Sequence, residues 1–334
     1  MKYIVALSPG RNWPSILETN NYLTRRQEKG KWELRFPFSF SADETVIRDR
    51  NIMIPTVAAI IPVFNRVQIL GRALKSVYAQ TSPADEVCVV DDGSTDGARE
   101  FVEKNFPEAI YCYQCNQGVS AARNRGVAIT TSSLLAFLDS DDEWLPGKLQ
   151  AQLDALREQG EYRLVHCDEI WIRRGVRVNQ MNKHQKGGGD LFQRCLPRCV
   201  ISPSAVLLER SLLSESGGFD ESLPACEDYD LWLKICSRYP VLYLEQALLR
   251  KYGGHKDQLS NKYWGMDRFR IHALDKLLRS GTLKREQELA ARAMLVRKSK
   301  IMMNGASKRE KTELAQKYRR LIEKYAAGAK EELG

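Results

Sequence analysis

The stretch EVCVVDDGSTDGARE, residues 86–100, decides how the rest of the chain is read. Val87-Cys88-Val89-Val90 is a short run of β-type residues that ends in two acids and a Gly-Ser-Thr-Asp-Gly turn. A run of that length, bounded by turn residues, reads as a buried strand. Asp92, Ser94, Asp96, Gly97 and Glu103 also match positions 1, 3, 5, 6 and 12 of an EF-hand calcium loop. An EF-hand loop leaves an amphipathic helix rather than a strand, however, and Arg99 stands at loop position 8, where an apolar residue is expected. The competing arrangement is an open α/β sheet holding a nucleotide at the carboxyl ends of parallel strands.

The sequence on either side favours the sheet. TVAAIIPVFN reads as a first strand and RVQILGRALKSVYAQ as a helix with apolar residues at three-to-four spacing. EVCVVDD is the second strand, AREFVEKNF its helix and AIYCYQC the third strand. GVSAARNRGVAIT follows as a helix of small residues, and SLLAFLDSDDEW as a fourth strand that again ends in acids. This alternation predicts an α/β fold over residues 54–261, after an N-terminal extension at 1–53 and before a helical region at 262–334.

Asp139, Asp141 and Asp142 would therefore gather at the same sheet edge as Asp91 and Asp92, where mutual repulsion demands a cation or hydrogen-bond donors. Acids that merely cap the helix beginning near Pro146 would account for one carboxylate per cluster. A divalent metal bridging a diphosphate accounts for more, since Mg2+ takes one or two protein carboxylates together with phosphate oxygens.

Composition narrows the classes. With 334 residues, 43% hydrophobic and 28% charged, the chain has the make-up of a globular protein. No apolar run approaches the ~20 residues of a membrane span, and MKYIVALSPG lacks the core and cleavage site of a signal peptide. A cytoplasmic location is expected. The eight cysteines then read as reduced thiols, although Cys112-x-x-Cys115 and Cys195-x3-Cys199 have spacings that zinc sites use. Of 51 basic and 42 acidic residues, 18 and 9 lie in 265–334, so the chain before that is balanced at 33 of each.

Five stretches, IIPVFNR, VVDDGSTDG, NQGVSAARNRG, FLDSDDEWLPGKL and EDYDLWLK, in this order, closely resemble the family 2 glycosyltransferases of the GT-A fold. The resemblance covers about Thr56 to Ser260. It implies a Rossmann-like, mostly parallel central sheet flanked by helices, here with a C-terminal helical appendage. It further implies a nucleotide-sugar donor, usually a UDP-sugar, and an inverting hexosyl or N-acetylhexosaminyl transfer assisted by Mg2+ or Mn2+. The acceptor would be a glycan or lipid-linked hydroxyl of the cell envelope or a surface polysaccharide; nucleic acid is not expected. Matched residue by residue, the backbone around Pro62, Val63 and Phe64 would line the base pocket and Asp92 would accept a hydrogen bond from the uracil. Arg123 would face the diphosphate or the base, Asp139 the ribose, and Asp141 would hold the metal. In many members a His after the last strands reaches the metal, which makes His255 a candidate ligand.

The chemistry also needs a base for the acceptor hydroxyl, and Asp228 in ACEDYDLWLK, beside the pocket at a helix start, is the candidate. Glu227 and Asp230 compete with it, and Glu227 and Trp232 are candidates for the acceptor side. Trp144 reads as core rather than as a sugar platform. Residues 163–203 should carry the acceptor half, with a basic loop at RGVRVNQMNKHQKGGGD. An alternative function is a non-catalytic nucleotide-sugar-binding or scaffold subunit that works through its tail; an intact Asp228 beside an intact Asp141 favours turnover.

REQELAARAMLVRKSKIMM and KREKTELAQKYRRLIEKYAAGAK predict basic amphipathic helices. Such helices could hold the enzyme peripherally at the inner face of an anionic membrane. They could equally pack on the catalytic domain or on a second copy.

Overall fold

The computed structural model describes residues 24–28, 31–35, 55–254 and 263–327. In the first compact unit, Met1–Met53, β1 (Thr24–Glu28) and β2 (Lys31–Arg35) pair as an antiparallel hairpin. The second unit is Ile54–Gly334. It begins with β3 (Val57–Val63), α1 (Val67–Tyr78), β4 (Glu86–Asp91), α2 (Ala98–Asn105), β5 (Ile110–Tyr113), α3 (Val119–Ile129) and β6 (Leu134–Phe137). Then come β7 (Glu143–Trp144), α4 (Lys148–Glu158), β8 (Leu164–Arg173), β9 (Val176–Val178), α5 (Phe192–Cys195), β10 (Val206–Glu209) and α6 (Arg210–Glu215). The last elements are α7 (Glu227–Cys236), β11 (Leu242–Gly253), α8 (Asp267–Arg279), α9 (Arg285–Ser307) and α10 (Thr312–Ala327).

Nine strands form one sheet in the order β5-β4-β3-β6-β10-β8-β11-β7, with β9 paired to β8. The pairings from β5 through β6 are parallel, as is β8 with β11. β10 runs antiparallel to both β6 and β8, and β7 and β9 also pair antiparallel. The parallel part is thus the half that carries the two acidic turns, and beyond it the sheet is mixed. Parallel neighbours need a crossover helix, which the first half supplies between its strands.

Both faces of β3 are buried, and alternate residues serve different cores. Ala58 and Ile60 pack with Val90, Leu135 and Phe137; Val57, Ala59, Ile61 and Val63 pack with Val89, Ala136 and Leu138. Helix α3 lies close on the first face, since a Cβ at Gly126 would stand 2.4 Å from Ile60 Cγ2. The small residues read from the sequence allow that approach.

The tail helices share the first core. Ile271, Leu274 and Leu277 of α8, Ala291, Leu295 and Met302 of α9, and Tyr318 and Tyr325 of α10 cluster with Leu231, Trp232 and Ile235 of α7. Lys276 pairs with Asp220 and, at 2.7 Å, with Asp230; Lys298 pairs with Asp267 at 2.8 Å and donates to Pro197 O at 2.9 Å. Much of the tail's apolar surface is therefore packed on this domain, with Leu289 and Ile301 left exposed, and most of its basic residues apart from Lys298 lie outside. No described helix is long and apolar enough to cross a membrane.

Candidate active site

The two acidic turns meet through the bend after β3. Asn65, at φ 50°, donates its N–H to Ser94 Oγ (2.8 Å) and accepts from Thr95 N (2.8 Å). Asn is among the residues that tolerate this left-handed conformation. Arg66, the next residue, donates to Asp141 Oδ2 at 2.6 Å. Arg72 of α1 donates to the Asp141 carbonyl at 2.6 Å and lies 3.6 Å over the Tyr252 ring. Neither arginine was assigned a role from sequence, because nothing in the spacing of an amphipathic helix marks which cation will face a loop seventy residues away.

The loop that resembles a calcium site does not converge on a point. Asp92 accepts from Gln117 N (2.9 Å), Gly118 N (2.8 Å) and Gln114 Nε2 (2.8 Å), while Asp96 accepts from Val67 N (2.8 Å). Asp91 accepts from Ser94 N (2.7 Å) and the Tyr111 hydroxyl (2.5 Å). Asp92 thus occupies the N-terminus of α3 as its anion. Three of its roughly four acceptor positions are filled from within the fold, which leaves one for a ligand. Pro62 and Val63 are buried at the end of β3, Val63 O accepts from Asp92 N at 2.8 Å, and Phe64 is 44% exposed beside them.

Asp139, Asp141 and Asp142 present carboxylate oxygens within 4.8 Å of one another. Asp142 is 1% exposed, and both of its oxygens are engaged, by Ser204 Oγ (2.7 Å) and by Tyr252 N (3.0 Å). Burial pushes its carboxyl well above the usual range, and Asp141 and Asp139 add to that shift against the opposing Lys251. Asp139 accepts from Arg123 at 2.7 Å through one oxygen. Burial alone would raise the Asp139 carboxyl, but Arg123 and Lys251 hold it below the usual range. The acids with an oxygen left over are Asp139 and Asp141. One or two carboxylates plus ligand oxygens is the donor set that Mg2+ or Mn2+ takes, so these residues fit such an ion. Neither cysteine pair joins a metal-binding group among the described residues, and all eight cysteines are free thiols.

Arg123 is 3% exposed, with Nη2 on Asp139 and Nη1 on Glu227 Oε1, both at 2.7 Å. Its charge is occupied inside the fold, so it positions two carboxylates rather than standing open to a ligand. Glu227 is 6% exposed; burial, then the neighbouring Asp228 charge, raises its carboxyl despite Arg123. Asp228, half-buried on the same first turn of α7, accepts from Tyr229 N (2.7 Å) and from the Cys199 thiol (3.1 Å). Asp230 is 2% exposed and pairs with Lys234 (2.8 Å) and Lys276 (2.7 Å), which makes it a link to the tail. Of the three acids of EDYD, Asp228 alone is neither buried nor salt-bridged.

One expectation on α7 changes. Trp232 is fully buried in the core with Leu231 and Ile235, so its ring cannot stack on an acceptor sugar. A helix docked on both sides, by the sheet and by the tail, leaves no open face at that position. Trp144 is likewise core, as read from the sequence, and donates to Ser204 O at 2.9 Å. His255 lies outside the described residues.

Lys251 of β11 was not marked by the sequence. Its Nζ donates to Ser202 Oγ at 2.9 Å. Burial would lower its ammonium, but Glu169, Asp142, Asp139 and Asp228 together raise it. Like Arg123, it is influenced by acids of both the metal side and α7. Only the register of β11 against β8 brings it there.

Three comparisons bear on this arrangement. The family described as Glycosyl transferase family 2 matches residues 58–215. A Rickettsia prowazekii glycosyltransferase is 30% identical over 219 residues, covering 64% of this chain and 68% of its own length. The chain spans only 36% of the length of longer Rickettsia relatives at 31% identity. An Escherichia coli UDP-Glc:alpha-D-GlcNAc-diphosphoundecaprenol beta-1,3-glucosyltransferase is 29% identical over 188 residues, 54% of this chain and 69% of its own. Among solved structures, residues 1–349 of Staphylococcus aureus TarS in complex with UDP-GlcNAc align over 82% of this chain and 92% of that one, with a TM-score of 0.55 at 19% identity. The mannosyltransferase PcManGT from Pyrobaculum calidifontis, in complex with GDP-Man and Mn2+, aligns over 81% and 84% with a TM-score of 0.55 at 18% identity. At these identities the likeness establishes the shared fold.

Proposed function

Because the chain belongs to glycosyl transferase family 2, we propose that it transfers a sugar, with inversion, from a nucleotide-sugar to a hydroxyl of a glycan or lipid-linked acceptor. The observation that carries this is the Arg123 bridge, which ties the Asp139–Asp141 turn to the first turn of α7, where Asp228 stands. In this reading Asp139 and Asp141 would hold the ion and Asp228, next to Glu227 on that turn, would take the acceptor proton, the pair of roles that a displacement at an anomeric carbon requires.

In this proposal the acceptor oxygen forms a bond to the anomeric carbon as the bond from that carbon to the diphosphate oxygen breaks. The acceptor proton goes to Asp228 and the nucleoside diphosphate leaves with the electron pair. A divalent ion held by Asp139 and Asp141 would stabilise the charge that grows on the leaving diphosphate. Lys251 adds a fixed positive charge to that end, where charge development makes it worth most. Asp92, with its remaining acceptor position, and Phe64 at the end of β3 would receive the base. Glu227 keeps Arg123, and through it Asp139, in place. A UDP-sugar is favoured as donor by the relatives named with UDP-Glc and UDP-GlcNAc, and a lipid-linked acceptor by the E. coli relative.

A panel of UDP- and GDP-sugars, incubated with the full chain and Mn2+, tests this through slow donor hydrolysis. One donor should be turned over, and EDTA should abolish the turnover until metal is restored. Activity unaffected by EDTA would remove the metal role, and no hydrolysis or binding of any donor would remove the donor reading.

A further inference from the structure

A cavity of about 740 Å³ opens between β8, residues 179–188 and β11. Its floor is an ion pair, Glu169 with Lys186 at 3.0 Å, both side chains 2% exposed. Above it stand Asp168, Trp171, Gln180, Tyr243 and Glu245. Two rings are fixed in the wall: the Trp171 indole donates to Glu169 Oε1 at 2.8 Å, and Tyr243 lies 5.0 Å from the buried His166 ring. Gln180 donates to Glu169 O at 2.8 Å, which pins its amide at the rim.

Through Trp171 the cavity wall adjoins β11 at Lys251. Trp171 and Lys251 are register partners on the neighbouring parallel strands β8 and β11. Residues side by side in this way project to the same face of a sheet. Lys251, whose ammonium is raised by the charges of Glu169, Asp142, Asp139 and Asp228, is therefore next to Trp171 in the wall of this cavity.

Its charge selects among ligands. In the basic loop at residues 174–190, Lys186 is neutralised by Glu169. Among the described lining side chains that leaves Arg177 against Asp168 and Glu245. A lining with no surplus of cations is poorly suited to a phosphate. Carboxylates, amides and two fixed rings suit a ligand with many hydroxyl donors and an apolar ring face.

We propose that this cavity is the subsite for a neutral saccharide unit of the acceptor, with Asp168 and Glu245 accepting from its hydroxyls and Tyr243 packing on its ring. The proposal rests on the glycosyltransferase reading for the meaning of "acceptor", while the binding itself is independent of it. The test is saturation-transfer NMR on the full chain with methyl glycosides of glucose, galactose and N-acetylglucosamine. Inorganic phosphate serves as competitor, and UDP with Mn2+ is titrated on the same samples. At least one glycoside should receive saturation, phosphate should not displace it, and Glu245→Gln and Tyr243→Ala should reduce the signal about fivefold or more with UDP affinity unchanged. Tyr243→Phe, which keeps the ring, should retain most of the signal. A wild-type chain that binds UDP but no glycoside overturns the proposal. So does displacement by phosphate, or a glycoside signal indifferent to both variants. A chain that binds glycoside but no nucleotide retires the donor reading and leaves this one standing.

Discussion

Arg123 and Glu227, 104 residues apart in the chain, are joined by a 2.7 Å hydrogen bond in which a 3% exposed guanidinium meets a buried carboxylate. The same guanidinium holds Asp139, so one buried cation sets the spacing between the acids after β6 and the first turn of α7. Desolvating three charged groups is unfavourable by itself, and their mutual attraction offsets that only while all three are present.

Arg123→Met should therefore destabilise the fold by about 3–5 kcal/mol, because two carboxylates lose their counter-charge. Adding Glu227→Gln should recover part of the loss by removing one of the orphaned charges. Urea titrations of the two variants beside wild type read this directly. Equal stability of Arg123→Met and wild type would show that the bridge is not a structural clamp.

Asp228→Asn should reduce sugar transfer by about 10²–10⁴, the usual contribution of a general base, while UDP affinity stays nearly constant. The amide keeps an oxygen for the Tyr229 N–H, so the helix start is retained. Near-normal transfer by this variant would pass the role of base to another group.

His166 gives a pH signature. Its ring is fully buried and donates from Nε2 to Gly187 O at 2.9 Å, and burial lowers its pKa from 6.5 to about 3. The folded protein keeps it neutral, while the unfolded chain takes up a proton near 6.5. Stability is thus complete above that pH and falls as pH drops toward 3, by a total on the order of several kcal/mol. Glu169, lowered from 4.5 to about 2 by Lys186 and Lys251 against the effect of burial, adds a loss of the same sign only below about 4.5. Between pH 6.5 and 4.5, His166→Asn should flatten the dependence of unfolding free energy on pH by about one proton. An unchanged slope would mean that the ring is protonated in the fold.

Leu295 tests whether the tail is part of the folding unit. It is fully buried in the cluster shared with α7. Leu295→Ala should cost about 2–5 kcal/mol in a single cooperative transition. A negligible cost, or a separate low-stability transition, would show instead that the tail docks loosely.

The α/β class, the strand-like run before each acidic turn and the helical tail were legible in the sequence because each depends on local periodicity and turn chemistry. The meeting of Asp92, Asp139 and Asp141 at one sheet edge followed from strand order alone, since the carboxyl ends of parallel strands share an edge. What the residues do there was decided by the tertiary structure. The family resemblance implies a ligand-facing Arg123, yet packing turns it inward onto Glu227 and Asp139. Asp92 is drawn to the N-terminus of α3, and Trp232 is enclosed because the tail covers the outer side of α7. Lys251 carries no local signal, since its place among four carboxylates depends on how β11 registers against β8. Burial and charge pairing are properties of contacts between distant segments, so sequence could nominate the acids but could not say which of them would remain open to a ligand.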